Sequence, residues 1–321
     1  MRTEMVLCRG HDGVTAAGHP RSAANRGGRV TDWVVAVIGM LLVLTVVRNV
    51  FHTLFHPLSQ GGIAPPVMKL VWRLLRVFRR DRRIATFTGP LGIALVIVSW
   101  GTLAVLGWAM LYFTALPDGV AYGSELNPGE RGAVLDSLYL SLVTIATLGF
   151  GDIVPTSPWL RIMIPLEALF GFMLFTAAVS WVLQIYPALH RRRVLALHLT
   201  NLTAARKAQP DLGIDSVPTD VLTGITHAVI EARNDLNQYG ETYYFRDLER
   251  GAALPIALSH AIRLADEAAA AEGPSTRVVG AMLAAALDDL TGLLDREFLH
   301  TGGNTAAVVK AYAADHRQPG C

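Results

Sequence analysis

Two threonines, two glycines and an acid stand close together in Thr144-Ile145-Ala146-Thr147-Leu148-Gly149-Phe150-Gly151-Asp152. The chemistry such a run can perform belongs to its backbone. Glycine tolerates angles closed to other residues, so Thr147-Leu148-Gly149-Phe150-Gly151 can turn successive carbonyls toward one axis. Stacked rings of carbonyl oxygen replace the water around a dehydrated cation. Only backbone oxygens and the Thr147 hydroxyl take part, and no catalytic side chain is needed. A plain Gly-rich turn between two helices is the competing reading. It leaves the paired threonines, the terminal acid and the apolar flanks unexplained.

Those flanks are the elements that must position the run. Leu91 to Leu116 and Trp159 to Leu189 are long and apolar enough to cross a bilayer, the first with some tilt. An earlier apolar run from Trp33 extends to about Phe55 if Arg48 snorkels to the interface. The residues divide as a disordered tail over 1–31, an N-terminal span over 32–56, a linker over 57–88, a unit over 89–190 built around the Gly-containing run, and a helical domain over 191–321. Within that central unit the divisions are a first long helix 91–116, a short helix 136–146, the Gly-containing run 147–152 and a second long helix 159–189. The class is therefore an all-α membrane protein. A composition of 52% hydrophobic residues agrees.

The run resembles the selectivity filter of potassium channels, with Phe150 where tyrosine is commoner. The resemblance extends back through Asp136-Ser137-Leu138-Tyr139-Leu140-Ser141-Leu142-Val143, which looks like that family's pore helix, and forward through Ile153-Val154-Pro155-Thr156. It covers about Pro90 to Leu189. It implies a passive potassium-selective pore, with Thr147, Leu148, Gly149, Phe150 and Gly151 offering oxygens to K+; the carbonyl mechanism is carried over from that family. One filter strand per chain cannot ring an ion, so the resemblance implies a homotetramer. A weakly selective cation channel and a non-conducting scaffold on a channel fold are the alternatives.

Several residues carry narrower expectations. Asp136 can cap the short helix. Thr144, Tyr139, Asp152 and Glu167 are candidates for filter support. Val143 stands where some relatives in this family carry a glutamate that bonds the acid after the filter, leaving Tyr139 as a possible donor to Asp152. Glu167 is an acid deep within the last span. It reads either as a structural hydrogen bond to Ser141 or Thr144, or as a charge that concentrates cations. Gly171 falls where the family has its gating hinge, with a packing glycine as the alternative. Phe175, Thr176, Val179 and Leu183 would then line the cavity below it.

Charge distribution orients the chain. The stretch from Met68 to Arg83 is basic and amphipathic, with Arg73, Arg76, Arg80 and Arg83 on one helical face. It is read as a helix at the cytoplasmic interface, its arginines meeting anionic lipid. The every-third spacing of Arg73, Arg76, Arg79 and Arg82 suits a voltage sensor, but only one apolar segment precedes it to supply counter-charges. Arg191, Arg192 and Arg193 are expected to end the last span at the water. The positive-inside rule puts both basic segments, and the C-terminal domain, in the cytoplasm. Three spans then place the N-terminal tail outside despite Arg2, Arg9, Arg21, Arg26 and Arg29. Beyond residue 191, helices are expected near Thr219 to Leu236, Ala252 to Ala271 and Ser275 to Leu299. The chain shows no Gly-x-Gly-x-x-Gly and no nucleophile–base or metal-ligand pattern. No enzymatic activity, cofactor or nucleic-acid partner is expected; K+ is the one ion invoked, and any regulatory ligand is unknown.

Overall fold

A computed structural model describes residues 26–55, 62–77, 87–123, 132–247 and 249–316. The chain is an all-α membrane fold in which three helices are long and apolar enough to span: α1 (Arg26–Phe55), α3 (Thr88–Phe113) and α5 (Leu160–Ala208). Between them lie α2 (Ala64–Val77), the short α4 (Ala133–Ile145) and two three-residue strands, β1 (Val120–Tyr122) and β2 (Ile153–Pro155). Four further helices follow: α6 (Thr219–Gln238), α7 (Leu254–Ala269), α8 (Pro274–Leu294) and α9 (Thr305–His316).

The first two spans meet through glycine. A Cβ on Gly39 would lie 2.6 Å from the Gly107 carbonyl oxygen, and one on Gly107 would lie 2.9 Å from that of Gly39. Only residues without side chains allow backbones this close, which is how membrane helices gain contact where burial from water offers no driving force. Val43, Val46 and Trp108 are buried around the crossing.

The structure departs from the sequence reading in three places. First, α1 begins at Arg26, so residues 26–31 are helical rather than part of a disordered tail. Extending a nucleated helix by a turn is far easier than starting one. Second, the helix of the last span does not end at the triple arginine. The helix runs unbroken from Leu160 to Ala208, a length of 49 residues. Arginine is a good helix former, and these three pair with carboxylates on later elements. Third, α9 was not foreseen. Its Val308, Val309 and Tyr312 are buried on one face. Residues 1–25 of the tail, with Cys8, and the C-terminal Cys321 lie outside the described residues.

The segment Thr242–Asp247 is where the C-terminal helices join the spans. Arg192 is buried and donates to the carbonyls of Thr242 (2.6 Å) and Phe245 (3.0 Å) and to Asp247 Oδ2 (3.0 Å). Arg193 donates to the other oxygen of Asp247 at 2.7 Å. The Phe245 ring lies against the start of α3, within 2.5 Å of where a Gly89 Cβ would sit. The Arg246 guanidinium stacks over the Trp72 ring of α2, 4.3 Å from its centroid. One short segment thus touches α2, α3 and α5. Beyond it, α6, α7 and α8 pack through Leu222, Ile225, Val229, Leu258, Leu264, Leu283, Leu287 and Leu290, all buried. Gly280 lets α8 approach the Ala268–Ala269 backbone of α7.

Arg192 and its neighbour Arg191 make a controlled comparison. Arg191 pairs with Asp235 on an exposed face, where an ion pair contributes up to about 1 kcal/mol. Removing Arg192 takes a buried charged donor away from the Thr242 and Phe245 carbonyls and from Asp247, a loss of about 3–5 kcal/mol. Arg192→Met is therefore expected to lower the unfolding temperature of the purified protein by many degrees, and Arg191→Met by little. Equal shifts would deny the buried cluster its structural role.

Two groups beside this cluster set opposite pH limits. Burial pushes the Glu241 carboxyl up to about 7, so its contribution is complete below about pH 4.5 and lost as pH rises through 7. Burial pushes His316 down to about 4; its contribution is complete above about 6.5 and lost as pH falls through 4. Glu241→Gln is expected to remove the first limb, leaving thermal stability that climbs between pH 4 and 6.5 and then levels. A curve unchanged from the parent would show that Glu241 stays ionised.

Candidate functional site

Helix α4 ends at Ile145 with Ala146 as its C-cap, and the chain turns back under it: the Thr147 amide donates to the Thr144 carbonyl and the Leu148 amide to that of Val143, both at 2.9 Å. The next residues alternate in hand. Thr147, Gly149 and Gly151 have φ of 57°, 56° and 76°, while Leu148 and Phe150 between them keep negative φ. Alternation of this kind rotates consecutive peptide planes in opposite senses, which brings their carbonyls to one side of the strand. A Cβ on Gly149 or Gly151 would meet nothing within 4 Å. Glycine is required there by backbone angle and not by crowding. Thr147 adopts the left-handed region with a side chain, at a cost of about 1–2 kcal/mol. All five residues are exposed in the single chain.

The run is held at both ends. Asp152 accepts the Tyr139 hydroxyl at 2.5 Å and the Ile153 amide at 3.1 Å. Tyr139 is thus the donor that faces the acid in the absence of a glutamate at Val143. The Asp152 carbonyl accepts the Gly123 amide at 2.8 Å, closing the antiparallel ladder of β1 and β2 in which Tyr122 opposes Ile153. Asp136 does not cap α4. The helix starts three residues earlier, after Gly132 with φ 80°, because a glycine in that conformation turns the chain into the helix without a capping side chain. Asp136 instead accepts the Tyr122 hydroxyl at 3.0 Å, and burial with this bond pushes that phenol up to about 12.

Glu167 of α5 lies behind α4, fully buried. Its two oxygens accept the Tyr112 hydroxyl of α3 and the Ser141 hydroxyl of α4, each at 2.5 Å. It faces the back of the short helix and not an open cavity. Thr144 is buried at the end of α4 beside this point. Gly171, one turn further along α5, sits against the last carbonyl of α4: a Cβ there would lie 2.4 Å from Ile145 O. Gly171 is therefore a close-approach residue in this structure, and the helix continues through it. Tyr112 is the participant that sequence reasoning missed; it sits near the end of an apolar run, and its partner Glu167 lies one span away in the chain.

Below Gly171, Phe175, Thr176, Val179 and Leu183 form one exposed stripe of α5, with Phe172 above them. The Thr176 hydroxyl is turned to its own helix, donating to the Phe172 carbonyl at 2.9 Å. On α2, Arg73 is exposed, while Met68, Val71 and Trp72 on the opposite face are buried. Arg76 lies in the last turn of that helix, and Arg80 and Arg83 lie outside the described residues, as do Arg79 and Arg82. Sequence reasoning gave α2 only a bilayer surface; the helix also has a protein partner, since Met68 reaches Gly92 of α3 and Trp72 packs against Tyr244 at 5.6 Å.

Residues 101–186 match the family described as ion channel. Among curated proteins, the chain is 25% identical to the uncharacterized membrane protein YdjJ of Bacillus subtilis (strain 168), over 52% of this chain and 48% of that one. It is 40% identical to two-pore potassium channel 5 of Arabidopsis thaliana, over 17% of this chain and 15% of the relative. It is 29% identical to the inward rectifier potassium channel Kirbac3.1 of Paramagnetospirillum magnetotacticum, over 27% of this chain and 30% of the relative. The match thus spans about half or less of the length of each of these proteins. No solved structure matches the chain.

The contrast between two glycines tests the contact behind the filter-like run. Gly171→Ala must push the end of α4 away, and overpacking of this kind costs about 1–3 kcal/mol. Gly101, on α3, has nothing within 4 Å of its virtual Cβ, so Gly101→Ala is expected to be neutral or stabilising by up to about 1 kcal/mol. Unfolding temperatures of the two variants should move apart; a stable Gly171→Ala protein would mean that α5 and α4 are not in register as described.

Proposed function

We propose, from the match of residues 101–186 to the family described as ion channel and the filter-like run within it, that the protein is the subunit of a homotetrameric, potassium-selective channel. The carrying observation is the alternation of hand from Thr147 to Gly151. Four such strands around an axis would supply rings of carbonyl oxygen and a ring of Thr147 hydroxyls in place of the ion's water, the mechanism for which this family is the type case. Conduction is passive and calls on no cofactor. The exposed stripe of Phe172, Phe175, Thr176, Val179 and Leu183 supports a role in lining a shared cavity or meeting neighbouring subunits. The seat of α4 on Glu167 and Gly171 supports rigidity at the filter, so that opening would occur further along α5.

Charge supports the orientation. The basic residues of α2 and the Arg191–Arg193 cluster belong on the cytoplasmic side of a cell membrane, with the C-terminal helices. Neutralising Arg73, Arg76, Arg79 and Arg82 is expected to weaken dependence on anionic lipid while leaving voltage dependence nearly unchanged. Phe150 favours a second reading. It lacks the hydroxyl that the commoner tyrosine offers, and a looser filter would pass sodium as well.

Reversal potentials separate the readings. In reconstituted protein with potassium on one side and sodium on the other, a selective pore reverses far from zero and a weakly selective one near zero; a scaffold passes no current. Gly149→Ala is expected to abolish selective current while the assembly persists, because alanine resists φ near +56° by about 1 kcal/mol or more in every subunit. Tyr139→Phe keeps the backbone run but loses the bond to Asp152, and should shorten openings without moving the reversal potential. Parent-like selectivity in Gly149→Ala would remove the filter assignment.

A further inference from the structure

A cavity of about 570 Å³ opens between α2 and the C-terminal helices, against Lys69, Trp72, Arg73, Tyr243, Phe298 and His300 among others. Its size is that of a site for a drug-sized molecule. Its floor is aromatic. Tyr243 and Phe298 stack with centroids 4.2 Å apart and planes 7° from parallel, and Trp72 stands 6.1 Å from Tyr243. Its rim is cationic. Lys69 and Arg73 are one turn apart on α2 and exposed, and among the described residues neither makes a hydrogen bond or ion pair. Arg73 lies near enough to Tyr244 to oppose the rise that burial gives its phenol. The carboxylate in the wall, Asp315, already accepts the Tyr243 hydroxyl at 2.8 Å.

We propose that this cavity binds a small organic anion carrying a planar ring, the ring lying on the aromatic floor and the carboxylate or phosphate held by Lys69 and Arg73. Arginine offers a planar fork to such an anion and lysine a mobile point charge. The aromatic rings supply flat contact area at little entropic cost. Trp72 belongs both to the cavity and to the cluster that joins α2 to Arg246. An occupant would therefore clamp α2 onto the segment that also grips α5 through Arg192. Its effect on flux rests on the channel reading; the binding itself does not.

The full chain in neutral detergent tests this with paired probes. Indole-3-acetate and adenosine monophosphate are expected to raise the unfolding temperature, with indole-3-acetamide and adenosine acting at least tenfold more weakly and inorganic phosphate not at all. Both rim residues are exposed, so Lys69→Gln/Arg73→Gln should unfold at the parent temperature without ligand and lose the response to the anions by at least tenfold. Neutral rings matching the anions, a response that survives in the double variant, or no response to any planar anion would each overturn the proposal. So would stabilisation by phosphatidylglycerol in mixed micelles with planar anions inert, which would assign the rim to a lipid headgroup. Binding without any current in reconstituted protein would sink the channel reading and leave the site intact.

Discussion

A buried carboxylate tolerates no vacancy among its partners, and the three helices that frame the filter-like run are tied at one. Taking an acid out of water is costly unless hydrogen bonds replace the lost solvent. Glu167 recovers them from Tyr112 and Ser141, and each partner sits on a different helix. The requirement that both oxygens be satisfied therefore fixes the rotation of α3, α4 and α5 about their own axes. Apolar packing alone would leave each helix free to slide, since lipid offers as good a neighbour as another leucine. The close approach at Gly171 then sets the height of α4, and the turn after Ala146 inherits both constraints.

Much of the arrangement near the filter could be read before any fold was in hand, because its determinants are local. The glycines at 149 and 151 announce a backbone need that no tertiary context can remove, and the observed φ values state the same need in degrees. The apolar lengths of the spans were legible for a similar reason: bilayer thickness sets them. Glu167 was noticeable because an acid is conspicuous in an apolar run, and Ser141 stood on the short helix already identified. Tyr112 was not legible, since a tyrosine in a span looks like any other large side chain until its distant partner is known. The Gly39–Gly107 crossing was equally silent. Each glycine alone reads as an ordinary interruption, and only the pair has meaning.

The boundaries fared worse than the elements, for a physical reason. Charge was taken as a stop signal at Arg191, yet charge ends only the apolar part of a helix. Whether the backbone continues depends on what the arginines find, and here they find Asp235 and Asp247, more than forty residues later in the chain. The same long-range pairing explains why the basic α2 could be read as a helix for a lipid surface alone. Its cationic edge is visible in sequence. The aromatic cluster that meets its other edge comes from Tyr243, Tyr244 and His316, which no local pattern connects to Trp72.

The length of α5 has a mechanical meaning. At about 1.5 Å per residue, its 49 residues form a rod of about 70 Å, more than twice the roughly 30 Å of a hydrocarbon core. The wall beside the filter and the spine of the C-terminal bundle are thus one continuous helix, whose hydrogen-bond ladder is interrupted at Pro165 and Pro187. Pro187 lies between the stripe that carries Phe175 and Leu183 and the part of the helix gripped at Arg192, so the two ends of the rod share one axis with a built-in place to bend.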